Sequence, residues 1–431
     1  MFDVVIVGAG AAGLATAIFA ARRDSACRVI VLDGARRIGA KILVSGGGRC
    51  NVTNHEVTAS DFNGGDRRII ASVLQAFPAP AAAAFFGEIG VPLHEEEDGK
   101  LFPDSNRART VLDALIAEAG RLGVTIGAAR RVESVRRAED GFVVGTDAET
   151  IEGSRVVLAT GGRSLPKTGS DGFGLSLAAS LGHTVVPTTP ALAPLLLEGD
   201  FHRRLAGVSH TAAIAIESGG RQLTTVAGSL LWTHFGISGP AALDASRHWH
   251  RAALAGAVRT SASFAPGFDA AAVERRLLEA AASHPGSMLR TALAAWLPAA
   301  VAEAVLEAVG MDPSQRLAQA TREQRRHLAR ALVDWELRVT GSRGYNYAEA
   351  TAGGIALGEI HRGTMASRRC PGLYLVGEIL DVDGRLGGFN FQWAWSSGWV
   401  AARALTSSSS KSLNPCIFQS INQSPNQEIN K

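Results

Sequence analysis

The stretch Val4-Val5-Ile6-Val7-Gly8-Ala9-Gly10-Ala11-Ala12-Gly13-Leu14 decides the fold. Its β-branched opening reads as a short buried strand, and Leu14–Arg22, rich in alanine, reads as a helix. Between them Gly8, Gly10 and Gly13 are spaced G-x-G-x-x-G. Gly8 permits a tight turn, Gly10 removes the side chain that would block a pyrophosphate, and Gly13 lets the helix close on the strand. A second strand, Arg28–Leu32, leads to Asp33, 20 residues after Gly13, where a carboxylate suits ribose hydroxyls. Strand, turn, helix, strand and acid make a βαβ unit whose helix N-terminus offers free N–H groups and positive dipole to phosphate. The turn marks a dinucleotide site; by itself it does not separate FAD from NAD.

Three later segments make that separation. The first is Gly39–Asn54, where Gly46, Gly47 and Gly48 are flanked by Lys41, Ser45, Arg49 and Asn51. So many donors around a glycine run form a phosphate-contacting loop with room for a flat ring. The second is Val156–Gly162, a strand ending at Ala159, Thr160 and Gly161; with Val132 it is placed against the adenine half. The third is Gly372–Gln392: a strand ends at Gly377, Glu378 and Asp381 face the ribityl hydroxyls, and Gly387-Gly388 open a helix carrying Phe389, Asn390 and Gln392. The N-terminus of that helix would stabilise negative charge on reduced flavin.

The remaining sequence sets the frame. With 431 residues, two or three domains are expected. Hydrophobic residues at 46%, charged residues at 19% and a net charge of +3 without a basic stripe point to a globular chain and away from nucleic acid. Four dispersed cysteines suggest a reducing, cytoplasmic setting, and no spacing of ligands completes a metal site. The uncharged run Val4–Ala21 lacks a basic leader and is interrupted by glycines, so it reads as folded core with no membrane role.

Helices are expected at Ala71–Ile89 and Thr110–Leu122, and strands at Arg130–Val135 and Gly141–Thr146. The fold class is α/β: a Rossmann-like FAD domain to which both ends of the chain contribute, over 1–187 and 340–405. A small β insert is expected over 188–267 and a helical subdomain over 268–339. Residues 406–431, in which Ser, Asn and Gln supply 14 of 26 positions, are expected to be disordered.

The stretches VIVGAGAAGLATA, GAKILVSGGGRCNVTN, LATGG, THFGISGP, ATAGGIALGEI and GLYLVGEILDVDGRLGGFNFQWAWSSG together resemble the YhiN/BaiN-like family of NAD(P)/FAD-dependent oxidoreductases, the aminoacetone oxidase or HI0933-like flavoproteins. The resemblance implies that the discontinuous FAD domain is of the glutathione-reductase type, that the β insert is β-barrel-like, and that a helical domain accompanies it. It also implies cofactor contacts from Gly8, Gly10, Gly13, Asp33, Lys41, Gly46, Gly47, Arg49, Gly377, Glu378, Asp381, Gly388 and Asn390. Asp33 departs from the pattern, standing where such flavoproteins commonly carry Glu.

Activity is read at a coarser level. An FAD-dependent oxidoreductase is expected, reduced by transient NADH or NADPH and passing hydride to a small enone or carbonyl compound. No second G-x-G-x-x-G is present, so the nicotinamide must visit the flavin rather than occupy a domain of its own. An amine oxidase using oxygen and a flavin redox sensor are the alternatives. Tyr345 is the candidate proton donor and His234, in Thr233–Pro240, the candidate acid–base group, although that segment also reads as an interdomain turn. Cys50 reads as loop filling, Trp393, Trp395 and Trp399 as packing, and His248 with His250 as an uncompleted metal pair.

Overall fold

The computed structural model describes residues 1–407, so the tail expected to be disordered lies, from residue 408 onward, outside the described residues. The opening motif folds as strand β1 (Phe2–Val7), helix α1 (Ala11–Arg23) and strand β2 (Val29–Leu32), with β1 and β2 parallel. Strands β3 (Thr125–Gly127), β4 (Val132–Ala138), β5 (Gly141–Thr146) and β6 (Thr150–Leu158) complete most of the sheet, in the order β3-β2-β1-β6-β5-β4. Strand β7 (Leu373–Leu375) lies parallel to the second half of β6, with Leu373 opposite Val156. The end of the chain therefore enters the sheet that its beginning started. Val4, Val5 and Ile6 are wholly buried, as a parallel sheet covered on both faces requires.

Pro78 divides the helix expected over Ala71–Ile89 into Arg67–Ala76 and Ala79–Glu88. A proline disfavours the helical region for the residue before it, and Phe77 sits at φ −144°, ψ 82°. Among the described residues, Arg67–Glu88 is the stretch whose length and composition would suit a membrane span, and this break interrupts it.

Buried apolar side chains gather in two main cores. One runs from Val4 to Ala178 and resumes from Ile355 to Leu405; the other draws on Leu195 to Leu337. In the second, a seven-stranded sheet curls so that its edge strands, Trp335–Glu336 and Val339–Ser342, are neighbours in sequence. The expected succession of a β part and then a helical part becomes an interleaving. Four helices between Ala270 and Val333 precede the two edge strands, and helix α2 (Gly239–Ala253) falls within the β part. The spacing of Ala241, Ala242 and Ala245 gives α2 its buried face, a helical signal set inside a run of short strands. Strand Val185–Ala191 pairs with Ala350–Ile355 where the chain passes between the two cores.

Helix α2 also joins the two parts through charge. Arg247 donates two hydrogen bonds to Asp383, at 2.7 and 2.8 Å, and both side chains are largely buried. One turn earlier Asp244 Oδ1 accepts the Leu386 N–H at 2.6 Å. Burial pushes the Asp244 carboxyl from an ordinary 3.8 up to about 6, against the opposing pull of that N–H, Arg385 and Lys100. The folded chain therefore holds an extra proton here between those two values, and stability from this group falls as pH rises from about 4 to about 6. Asp244→Asn, which keeps the acceptor without the charge, should unfold at a temperature no lower than the parent at pH 8. Its advantage, on the order of 2 kcal/mol, should vanish near pH 4; a scanning-calorimetry series over pH checks both ends.

Candidate cofactor and substrate site

A cavity of about 500 Å³ runs from the β1–α1 turn to the start of helix α3 (Phe389–Thr406). At one end Asp33 lies at the tip of β2. Its carboxylate accepts the Ala9 and Ala35 N–H groups, each at 2.8 Å, which fixes the oxygen atoms beside Gly34 and the cavity. Arg131, paired with Asp171 at 2.6 Å and lying over the Phe173 ring, closes the same end near Val132.

Gly10 is the residue before α1, at φ −85°, and a Cβ built there would meet nothing within 4 Å. The space belongs to the cavity, as a pyrophosphate approaching the helix N-terminus requires. Gly13 does not line the cavity: its Cβ would fall 1.9 Å from the Gly8 carbonyl oxygen, so its role is to let α1 close on the turn. Along the wall, Thr160 Oγ1 and Ser170 Oγ are buried and, among the described residues, lack a hydrogen-bond partner. Two orphaned hydroxyls on residues that line one cavity are what a polar ligand would satisfy.

Toward the other end lie Lys41, Ser45, Gly46, Gly47, Arg49 and Asn51. Lys41 binds Ser164 Oγ and Glu378, and Glu378 also accepts from Ser164 Oγ at 2.9 Å and the Thr351 N–H at 2.8 Å. Glu378 therefore lines the cavity with both oxygen atoms already engaged. Asp381 does not reach the cavity; its carbonyl accepts the Gly65 N–H at 2.8 Å, on the loop that pairs with residues 62–64. Gly48 and Gly377 are also absent from the lining, and a Cβ on Gly377 would lie 2.7 Å from that of Ala12.

Helix α3 starts at the cavity. Gly387, Gly388 and Asn390 line it, whereas Phe389 turns into the core, edge-on to Phe62. Gly388 holds φ +91°, and a Cβ there would meet the Thr53 carbonyl oxygen at 2.5 Å, so the constraint on this glycine is protein, not ligand. The Asn51 side-chain oxygen, with its amide nitrogen toward the Thr53 and Leu101 carbonyls, accepts the Gly388 N–H at 3.1 Å.

Neither catalytic candidate lines the cavity. The Tyr345 hydroxyl donates to Thr188 Oγ1 at 3.0 Å and its ring lies beside the Arg163 guanidinium. His234 is exposed in the turn after Arg221–Thr233, with its ring edge-on to Phe235. Cys50 is fully buried, and burial pushes its thiol up to about 12, which removes it as a nucleophile. Trp393 and Trp395 are core residues that donate to the Gly377 and Val52 carbonyls, and Trp399 stacks on Phe77. His250 bonds Ser342 Oγ at 2.7 Å, and burial holds His248 and His250 down at about 4; among the described residues no cluster suits a metal.

The sequence reading missed Lys100, Phe102, Leu192, Glu349, Arg385 and Leu386 on the cavity wall. Lys100 and Phe102 belong to a strand paired with Thr53–Asn54, which no local motif announces. Arg385 and Leu386 stood inside a segment already quoted, one step before Gly387.

The cavity thus has an acid and backbone amides for a ribose, a helix N-terminus for phosphates, and glycine loops with a second helix N-terminus for a ring. These residues fit FAD, which supplies two-electron hydride chemistry when bound, and they define the class: an FAD-dependent oxidoreductase built on a Rossmann-type domain. The model of the HI0933-like protein Rossmann domain matches residues 2–404, and the chain belongs to that family. A ribosomal RNA dihydrouridine synthase of Escherichia coli (strain K12) is 36% identical over 95% of this chain and 99% of its own. A 3-dehydro-bile acid delta(4,6)-reductase of Clostridium scindens is 34% identical over 94% and 99%. Among solved structures, a 3-ketosteroid delta1-dehydrogenase from Sterolibacterium denitrificans superposes with a TM-score of 0.48 at 14% identity, covering 94% of this chain and 99% of that one.

Gly10 and Gly388 then separate two kinds of requirement. Gly10→Val should leave the melting temperature of the apoprotein within a few degrees of the parent and abolish FAD binding, because its methyl groups enter only the cavity. Gly388→Val should lower the melting temperature as well as the flavin content, because both its φ and the Thr53 oxygen forbid the side chain. Flavin absorbance, with circular dichroism melts of the stripped proteins, tests the contrast.

Proposed function

We propose that this enzyme saturates a carbon–carbon double bond conjugated to a carbonyl, with NADH or NADPH as the source of hydride. The observation that carries this reading is the shared chemistry of two relatives that match nearly the full chain. Dihydrouridine is uridine saturated at a ring double bond conjugated to a carbonyl, and a Δ4,6 bile acid bearing a 3-oxo group presents the same arrangement in a steroid. The enone expected from the sequence is the common element.

The cavity supports the reading at its far end, where Leu192 and Leu386 belong to a small apolar cluster with Ala350 and Ala352. Such a wall suits the body of an unsaturated ring, with polar groups kept to the edges. The nicotinamide is proposed to enter by the same opening. We take the substrate to be a small molecule; a base within RNA is the second reading, favoured by the dihydrouridine synthase relationship alone. The described cysteines are free thiols, and we place the enzyme in the cytoplasm.

Under anaerobic conditions, NADH or NADPH should bleach the flavin absorption of the purified protein, and a 3-oxo-Δ4 steroid or a uridine-containing oligonucleotide should restore it. Restoration by the steroid alone selects the small-molecule reading, and by the oligonucleotide alone the RNA reading. Bleaching by aminoacetone but by neither nicotinamide would make it an amine oxidase, and no bleaching by any of them a redox sensor.

A further inference from the structure

Among the described residues, the charged side chains on the cavity wall are spoken for, with one exception. Lys41 is paired with Glu378, Arg49 with Glu96, Lys100 with Asp98, Arg131 with Asp171 and Arg385 with Asp61. Asp33 is held by two backbone N–H groups. Glu349 lines the same cavity and is exposed there, and among the described residues its carboxylate has no hydrogen-bond or ion-pair partner. Among the described residues, no histidine, tyrosine or cysteine lines the cavity.

We infer that Glu349 delivers the proton that completes reduction of the double bond, an inference that rests on the reductase reading above. Saturating a conjugated double bond adds hydride to the carbon remote from the carbonyl, and the π electron pair moves toward the adjacent carbon and the carbonyl oxygen. That adjacent carbon then takes a proton. The Glu349 carboxyl supplies it, leaves as carboxylate, and regains a proton from water when the product departs; the two electrons come from the nicotinamide by way of FAD.

The main chain of Glu349 is fixed for this work. Its N–H donates to the Leu192 carbonyl at 3.1 Å, its carbonyl accepts from Ser164 Oγ at 3.4 Å, and the next residue begins the wholly buried strand Ala350–Ile355. The side chain projects from a rigid edge beside the apolar wall of Leu192. Although its surface is open to the cavity, the surrounding protein displaces bulk water and pushes its carboxyl above the ordinary range. Lys41 opposes that displacement and Asp244 adds to it. The other charges nearby are themselves engaged: Glu378 by Lys41, and Asp244 by the Leu386 N–H. A carboxyl whose hold on its proton is raised in this way is better matched to general acid work than an ordinary carboxylate.

The test combines a titration with a half-reaction. Ionisation of Glu349 should shift the visible band of the FAD-loaded protein in one step, displaced upward from the ordinary carboxylate range. Glu349→Gln should retain FAD and lose that step. After reduction by NADPH, reoxidation by the steroid or oligonucleotide that serves the parent should slow by about 100-fold relative to reoxidation by dioxygen, which needs no carbon protonation. Glu349→Asp should recover part of the rate. A step that persists in Glu349→Gln, or an unchanged ratio of the two reoxidation rates, overturns the assignment. If the parent is reoxidised by neither compound, the reductase reading has failed and the proton-delivery role falls with it. The titration then reports separately whether Glu349 ionises beside the flavin.

Discussion

Helix α3 lies against α1 with almost nothing between their backbones, and the cofactor site depends on that contact. A Cβ on Gly398 would stand 3.0 Å from Thr16 Oγ1 and 3.1 Å from the Ala12 carbonyl oxygen. The Thr16 hydroxyl donates back to that same carbonyl at 2.7 Å, so it is satisfied within α1 and needs no partner from α3. Small residues on both helices permit the close approach, and dense packing transmits their alignment to both helix starts. Each start carries a partial positive charge from its unpaired N–H groups, so one crossing aims two helix dipoles at a single cavity. Ser397 reinforces the arrangement by accepting the Gly377 N–H at 3.0 Å, which ties α3 back to the turn after β7.

Electrostatic order inside the cavity follows from the same economy. Lys41, Ser164, Glu378 and the Thr351 N–H form a network that spans four distant segments of the chain. A network with its donors and acceptors matched is rigid and needs little rearrangement when a cofactor arrives. A group left without a partner among matched ones is correspondingly distinctive, which is why Glu349 stands out where Tyr345, with its hydroxyl engaged by Thr188, does not.

The inserted core is joined to the cofactor domain by helix α2 rather than by proximity alone. Arg247 and Asp383 satisfy one another in a buried, two-point pair, and removing one partner would leave the other charged and buried. Asp244 meanwhile holds the amide two residues before Gly388, so the position of the insert and that of the flavin-end loop are linked through one hydrogen bond. Insert and cofactor site therefore share a wall.

The sequence determined the β1–α1–β2 unit, because strand period, glycine spacing and terminal acid are local signals that each need only a few neighbouring residues. It also placed Gly46, Gly47, Gly387 and Gly388 at the cavity, since positive φ values written as glycine runs survive any tertiary arrangement. It did not determine which polar groups would be consumed by the protein itself. Asp381 and Tyr345 carry suitable chemistry, yet the fold keeps Asp381 off the cavity wall and turns the Tyr345 hydroxyl toward Thr188. Lys100, Phe102 and Glu349 reach the cavity through long-range strand pairing and chain crossings, which leave no periodic trace in the residues beside them. Local conformation was legible because it depends on spacing along the chain; the identity of the unpaired acid was not, because being unpaired is a property of everything around it.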